Sequence, residues 1–228
     1  MSAALPPVAT GRPRRSRLRL AGTFALAALL VAALWLGYLL WGSNVLAQRS
    51  YEQQVAALTQ QWQQPAPGVD PARPATAVAP GDAFAVLRIP SLGADYQVPV
   101  LSGTALSVLT RGVGHYPATA QPGQVGNFAL AGHRLSHGQP FSRLLQLNRG
   151  DQVVVETRSA VHTYVLDVAP RDLTVLASAS WVLGPVPGAA EGTPATGSLI
   201  TLTTAQDLVR SPDRSVAIGR LSSTRNKG

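Results

Sequence analysis

Four imidazoles and no thiol set the limits of the chemistry open to this chain. Without cysteine there is no thiolate nucleophile, no thiolate zinc site and no disulfide framework. Acid–base work would fall to His115, His133, His137 and His162. His162 lies inside an alternating apolar stretch and reads as a strand residue. His115, in Gly112-Val113-Gly114-His115-Tyr116-Pro117, reads as a loop brace. His133 differs, because it follows Phe128-Ala129-Leu130-Ala131-Gly132, an apolar strand whose last residue leaves room beside the imidazole. Strand ends aim side chains into clefts built by loops. His137, four residues on, could share a metal with His133, but no Cys and no carboxylate set completes a ligand shell. No metal, nucleotide or other cofactor is therefore expected. A second candidate is the strand tail Leu199-Ile200-Thr201-Leu202-Thr203-Thr204-Ala205, with Arg214 at the head of the next strand. By pattern alone it is a hydrophobic strand entering a loop.

The elements that must hold these residues are mostly strands. Phe84–Ile89, Tyr96–Val100, Asn127–His133, Gln152–Thr157, His162–Val168, Leu199–Thr204 and Ser215–Leu221 are short runs rich in Val, Ile, Leu and Thr. Arg158-Ser159-Ala160 reads as a hairpin connection, and Asn148-Arg149-Gly150-Asp151 as a turn ending a helix over Phe141–Leu147. With 21 Gly and 18 Pro in 228 residues, the chain is turn-rich without being low in complexity. The expected fold is all-β, a barrel or sandwich of about 140 residues. The long connection from Val175 to Gly197 is of the kind that covers binding sites.

Ahead of this domain the composition changes three times. Arg12, Arg14, Arg15, Arg17 and Arg19 precede the first acidic residue, Glu52, and carry five of the eight net positive charges. The rest is nearly balanced, so a nucleic-acid groove, which needs basic residues clustered on the folded part, is not expected. Residues 1–19 form a basic segment. Residues 20–41 contain no ionisable group and would make a helix of about 33 Å, enough to span a bilayer. The arginines place its N-terminal side in the cytoplasm, so the β domain should lie outside the cell on a single-pass plasma-membrane anchor. Trp35, Tyr38 and Trp41 suit the far interface. A cleaved signal peptide ending at Val45-Leu46-Ala47 is the competing reading, but its apolar region would run to about 7–15 residues, and this one is longer. Residues 42–64 read as a juxtamembrane helix, 65–80 as a Pro/Ala-rich linker, 81–222 as the β domain and 223–228 as a tail.

Ala131-Gly132-His133-Arg134 and Thr201-Leu202-Thr203-Thr204-Ala205, with Arg214 in Arg214-Ser215-Val216-Ala217-Ile218-Gly219-Arg220-Leu221, resemble the signature of sortases. These are membrane-anchored cysteine transpeptidases of Gram-positive and actinobacterial cell surfaces. The likeness extends over about Gly81 to Leu221. Ala83–Pro90, Gly112–Pro117 and Trp181–Gly188 resemble the class E branch of actinobacteria. The resemblance implies a closed barrel of about eight strands with short helices, behind the transmembrane helix. That count calls for a further strand around Leu173–Leu176. In the family a Cys ending the Thr-Leu-Thr-Thr strand attacks the Thr–Gly bond of an LPxTG- or LAxTG-like sorting signal. An amine of a cell-wall precursor such as lipid II, or of a pilin, then resolves the acyl-enzyme. His133 matches the general acid/base and Arg214 the cation that stabilises the tetrahedral oxyanion. Thr203 and Thr204 would line the substrate. Some sortases respond to calcium through an acidic loop, but Asp95, Asp151 and Asp172 are too sparse to suggest one.

The departure lies at residue 205, where Ala stands in place of the Cys and no other thiol exists. Three readings follow: a deliberate Cys→Ala exchange, a natural homologue that no longer forms the acyl-enzyme, or another nucleophile. Thr203 and Thr204 point to opposite faces of a strand, and neither holds the Cβ position of residue 205. Gln206–Asp213 also lacks the His-Pro or Asn-Pro that class E members often carry after the Cys, which favours natural degeneration. The sequence therefore suggests a sortase relative without a nucleophile. The alternative is a non-catalytic peptide-binding or docking module in surface-protein or pilus assembly.

Overall fold

The computed structural model describes residues 14–37, 43–64, 78–135, 138–205 and 213–227, in two compact units, Met1–Gly42 and Ser43–Gly228. The first unit contains helix α1 (Arg14–Gly37). Its large apolar side chains from Phe24 to Trp35 are exposed, as in a helix without a polar face. Among the described residues no helix is long and apolar enough to cross a membrane. Helix α1 holds the expected span only as far as Gly37; residues 38–42, with Tyr38 and Trp41, lie outside the described residues, as does most of the expected linker.

The second unit begins with helix α2 (Ser43–Gln63). Tyr51, Val55 and Leu58 recur at helical spacing and are buried, a stripe that needs a partner surface. That partner is the barrel: Val55 and Leu58 pack with Val86, and Trp62 joins them. The helix expected to stand between membrane and domain is thus a built part of the domain.

Among the described residues nine strands follow: β1 (Ala83–Arg88), β2 (Gln97–Ser102), β3 (Val113–His115), β4 (Gly126–Ala131), β5 (Gln152–Glu156), β6 (Ala160–Val168), β7 (Thr174–Leu176), β8 (Ser198–Ala205) and β9 (Asp213–Asn226). Eight run in the order β6-β5-β1-β2-β3-β4-β8-β9, and β9 pairs back onto β6 to close the barrel. Closure leaves the eight barrel strands without a free edge. β7 adds to the first residues of β9, where β6 does not reach. The β2–β3 and β4–β8 pairs are parallel and the remainder antiparallel. Alternate residues face the interior, where Leu87, Val100, Phe128, Leu130, Tyr164 and Ile200 are fully buried in one core. The intervening residues face outward, and Val86 meets α2 there.

Three expectations need correction. Val113–His115 is a strand and not a loop; three residues with a central glycine carry too little alternation to be read. Phe141–Leu147 is not a helix but a run of turns ending in a 3-10 turn at Leu144–Gln146. Its buried residues Phe141, Leu144 and Leu147 recur every three positions, the period of a 3-10 turn. The tail expected from residue 223 is strand as far as Asn226, paired with Ala160–Thr163 of β6. Residues 222–226 have no apolar member, so only the backbone ladder marks them. The short strand expected around Leu173–Leu176 is β7.

Candidate active site

The site assembles at the C-terminal ends of β4 and β8 and the start of β9. Parallel register pairs Ala129 with Thr201 and Ala131 with Thr203. It is carried further by Gly132, whose N–H donates to Thr203 O at 3.1 Å and whose carbonyl accepts from Thr204 Oγ1 at 2.9 Å. His133 lies two residues beyond Ala131, past the end of β4. On the other side Ala205 pairs with Arg214 in the antiparallel ladder. Ala205 and Arg214 therefore occupy paired places on β8 and β9, and His133 lies two residues past the end of the neighbouring β4.

Leu130, Leu202 and Ala217 belong to the interior core, and alternation puts 131, 203, 214 and 216 on the opposite, outer side. Arg214 is held from both flanks, its backbone paired with Ala205 of β8 and Val175 of β7, and its guanidinium Nη1 donates to Asp213 O at 3.2 Å. His133 is half-buried with Nε2 shut off from solvent. Its carbonyl accepts from Phe141 N–H at 3.0 Å, and the Phe141 ring fills the space beside Gly132, where a Cβ would meet it at 2.5 Å. Only glycine permits that approach.

The other sequence candidates fall into place around these strand ends. Thr203 shares the outer face and Thr204 the inner one. Both are buried, and their hydroxyls donate to Leu130 O at 3.1 Å and Gly132 O at 2.9 Å. His115 is in the β3 strand, with Nε2 3.0 Å from Ala120 O and 3.1 Å from Thr119 Oγ1, and its ring packs between Phe84 and Phe128. Burial lowers its pKa, against the opposing pull of the Ala120 carbonyl. His162, in β6, lies 3.1 Å from Thr224 Oγ1, and burial lowers its pKa too. His137 lies outside the described residues. Among the described residues no three His, Asp or Glu side chains gather as a metal site would require.

Sequence reading passed over Asn127, two turns of the pleat before Ala131 on the same outer face. Its Nδ2 donates to Val182 O at 3.0 Å and Gly184 O at 3.1 Å, while Oδ1 accepts from Thr201 Oγ1 at 2.8 Å. One buried amide thereby pins the long β7–β8 connection across β4 and β8. The signal was a polar residue opening an otherwise apolar strand. That connection encloses a cavity of about 370 Å³ lined by Trp181, Leu183, Pro185 and Val186. A second, of about 570 Å³, lies between α2 and residues 92–98 and 138–143. Neither is lined by His133 or Arg214.

The sortase domain model matches residues 87–222. Sortase SrtE1 of Streptomyces coelicolor is 37% identical over 196 residues, which is 82% of this chain and 52% of that protein, so the chain spans about half the length of that relative. Sortase E from Streptomyces avermitilis superposes with a TM-score of 0.58 at 39% identity, covering 64% of this chain and 92% of that one. Sortase E1 from Streptomyces coelicolor, solved with a tripeptide in the active site, gives a TM-score of 0.56 at 35% identity over 66% of this chain and 94% of that one.

Proposed function

Because this chain belongs to the sortase family, close to its class E members, we propose that the outer face of β4, β8 and β9 is a groove for a sorting-signal peptide and that the chain binds such a peptide without forming an acyl-enzyme. What supports this reading is the Ala205–Arg214 pair of β8 and β9, beside the end of β4 two residues before His133. An imidazole on one side of the scissile amide can protonate a leaving amine, and a guanidinium on the other can stabilise an oxyanion. Between them an alanine methyl cannot attack a carbonyl. Loss of the nucleophile leaves at most about 10³–10⁴-fold over water from binding and oxyanion stabilisation. The threonines do not replace it, since each hydroxyl proton is already given to a carbonyl and a hydroxyl lacks the accessible ionisation of a thiol. We assign Thr203, on the outer face, to the floor of the groove and Thr204 to bracing the end of β4 through its bond to Gly132 O.

The remaining parts of the reading follow the sequence. Residues 20–41 anchor the chain in the plasma membrane with its N-terminus in the cytoplasm and the barrel outside, supported by 22 residues without a charge and five arginines before them. The peptide would be of LPxTG or LAxTG type, brought by a surface protein.

The test uses the full chain in detergent micelles and a fluorescent LPxTG- or LAxTG-like peptide. Binding is expected, weakened roughly ten- to a hundredfold by Arg214→Ala through loss of a charge-assisted hydrogen bond of about 1.5–3 kcal/mol. No binding at millimolar peptide would replace the groove with a docking module for surface-protein or pilus assembly. Ala205→Cys should gain a thioester with an electrophilic sorting-signal peptide, detected by mass, and lose it again with His133→Ala. Labelling of the Cys variant that is indifferent to His133 would remove the imidazole from the proposed machinery.

A further inference from the structure

Residues 138–141, which close back onto His133, are fastened at three points. The Phe141 ring lies beside Gly132, and Phe141 N–H closes the segment onto His133 O. Tyr96 Oη–H donates to Pro140 O at 2.5 Å. The third fastening comes from outside the barrel. Tyr51, on α2, is 4% exposed and its ring lies over Gly138, where an added Cβ would stand 2.7 Å from Cε2 and 2.8 Å from Cζ. Gly138 also has φ of +78°, so the chain there both turns in the left-handed region and makes room for the ring. The adjacent cavity of about 570 Å³ is bounded by Tyr51, Tyr96, Gly138 and Arg143. The Tyr51 ring is thus a wall shared by α2 and the segment that leads back to His133.

Helix α2 is in turn held along its length. Gln54 Nε2 donates to Arg111 O at 3.1 Å, Val55 and Leu58 pack on Val86, and the Lys227 ammonium lies 4.3 Å from the centre of the Trp62 ring. Tyr51 therefore presents its ring from a support fixed to the barrel wall.

We propose that Tyr51 is a positioning residue: docked on the barrel through α2, it presses on Gly138 and thereby fixes residues 138–141, whose Phe141 N–H holds the His133 backbone and so orients its imidazole. The inference rests on the reading of His133 as the proton-transfer group of the groove. Its geometry, however, is tested without peptide.

The experiment follows the four histidine rings by NMR in the full chain in micelles, with isotope-labelled histidine and no ligand, across a pH titration. Tyr51→Leu keeps an apolar side chain against the barrel but removes the ring from Gly138; Tyr51→Phe keeps the ring. In Tyr51→Leu the His133 resonance is expected to move or broaden and its titration midpoint to change, while His115 and His162 keep theirs. Tyr51→Phe should restore the wild-type His133 signal. The proposal is overturned by a His133 signal unchanged in Tyr51→Leu, or by His115 and His162 shifting as much as His133, which would mark a general loosening. Should Tyr51→Leu not fold, Gly138→Ala serves instead, compared in the Tyr51 and Tyr51→Phe backgrounds. Displacement of the His133 resonance in both is expected, and an undisturbed His133 there would refute the link. Failure of peptide binding in the wild-type chain would overturn the groove and leave this result standing.

Discussion

Asn127 shows how much a single side chain can organise. Its amide, 1% exposed, satisfies two carbonyls of the β7–β8 connection and accepts from Thr201. Asn127→Ala strands those buried partners at roughly 1–3 kcal/mol each. The expected outcome is a lower melting temperature together with proteolytic nicking between residues 180 and 193, and a connection as resistant as in the wild type would show that other contacts hold it. Histidine titration acts at the same scale. Burial lowers the pKa of His115 and His162, so the folded chain takes up their protons less readily than the unfolded chain, whose histidines titrate near pH 6.5. Stability is full above that value and falls as pH drops from about 6.5 through the lowered folded values. Thermal unfolding at about pH 7.5 and about pH 5 should show the decline, and a flat profile would contradict it.

At the scale of elements, α2 and the two barrel termini form one assembly. Glu156 of β5 receives Arg88 of β1 at 3.0 Å and Lys227 at 2.8 Å, and Lys227 also lies over Trp62. Partial burial pushes the Glu156 pKa up, but the hydrogen bonds and charges of Lys227 and Arg88 outweigh it and hold the carboxyl below its usual value. Trp62→Ala removes a half-buried ring and a cation–π contact. A cost of about 2 kcal/mol is expected, less than the roughly 3–5 of a fully buried Trp, read as faster hydrogen exchange along α2 with the barrel amides unchanged. Equal acceleration in the barrel would mean that helix and barrel unfold together. The strands with clear alternation, such as Phe84–Ile89 and His162–Val168, were legible in sequence within a residue or two. β3 and the end of β9 were not, since their pairing depends on backbone ladders and on partners distant along the chain.

At the scale of the whole molecule, the absence of cysteine supplies a direct test of orientation. Ser2→Cys and Ser222→Cys each introduce a single thiol on either side of the proposed anchor. A membrane-impermeant maleimide applied to intact cells should label Ser222→Cys and spare Ser2→Cys, and labelling of the latter would reverse the topology. The barrel itself closes through β6 and β9, so both ends of the domain are tied into the wall that α2 and Lys227 share.

Composition and alternation were enough to determine an all-β domain behind a basic and then apolar segment, and the residue types alone excluded any thiol. They could also nominate His133 and Arg214, through motifs that resemble a family. What they could not determine is that the ends of β4 and β8 and the start of β9 lie side by side, with Ala205 paired to Arg214. That depends on a parallel pairing between β4 and β8, whose partners are more than 70 residues apart, and on β7 filling the flank of β9 that β6 leaves open. The role of Tyr51 was equally hidden, because a helix stripe announces that it must be buried but not against what. Local sequence sets the period of each element; the register between distant elements is set by the packing of the whole core.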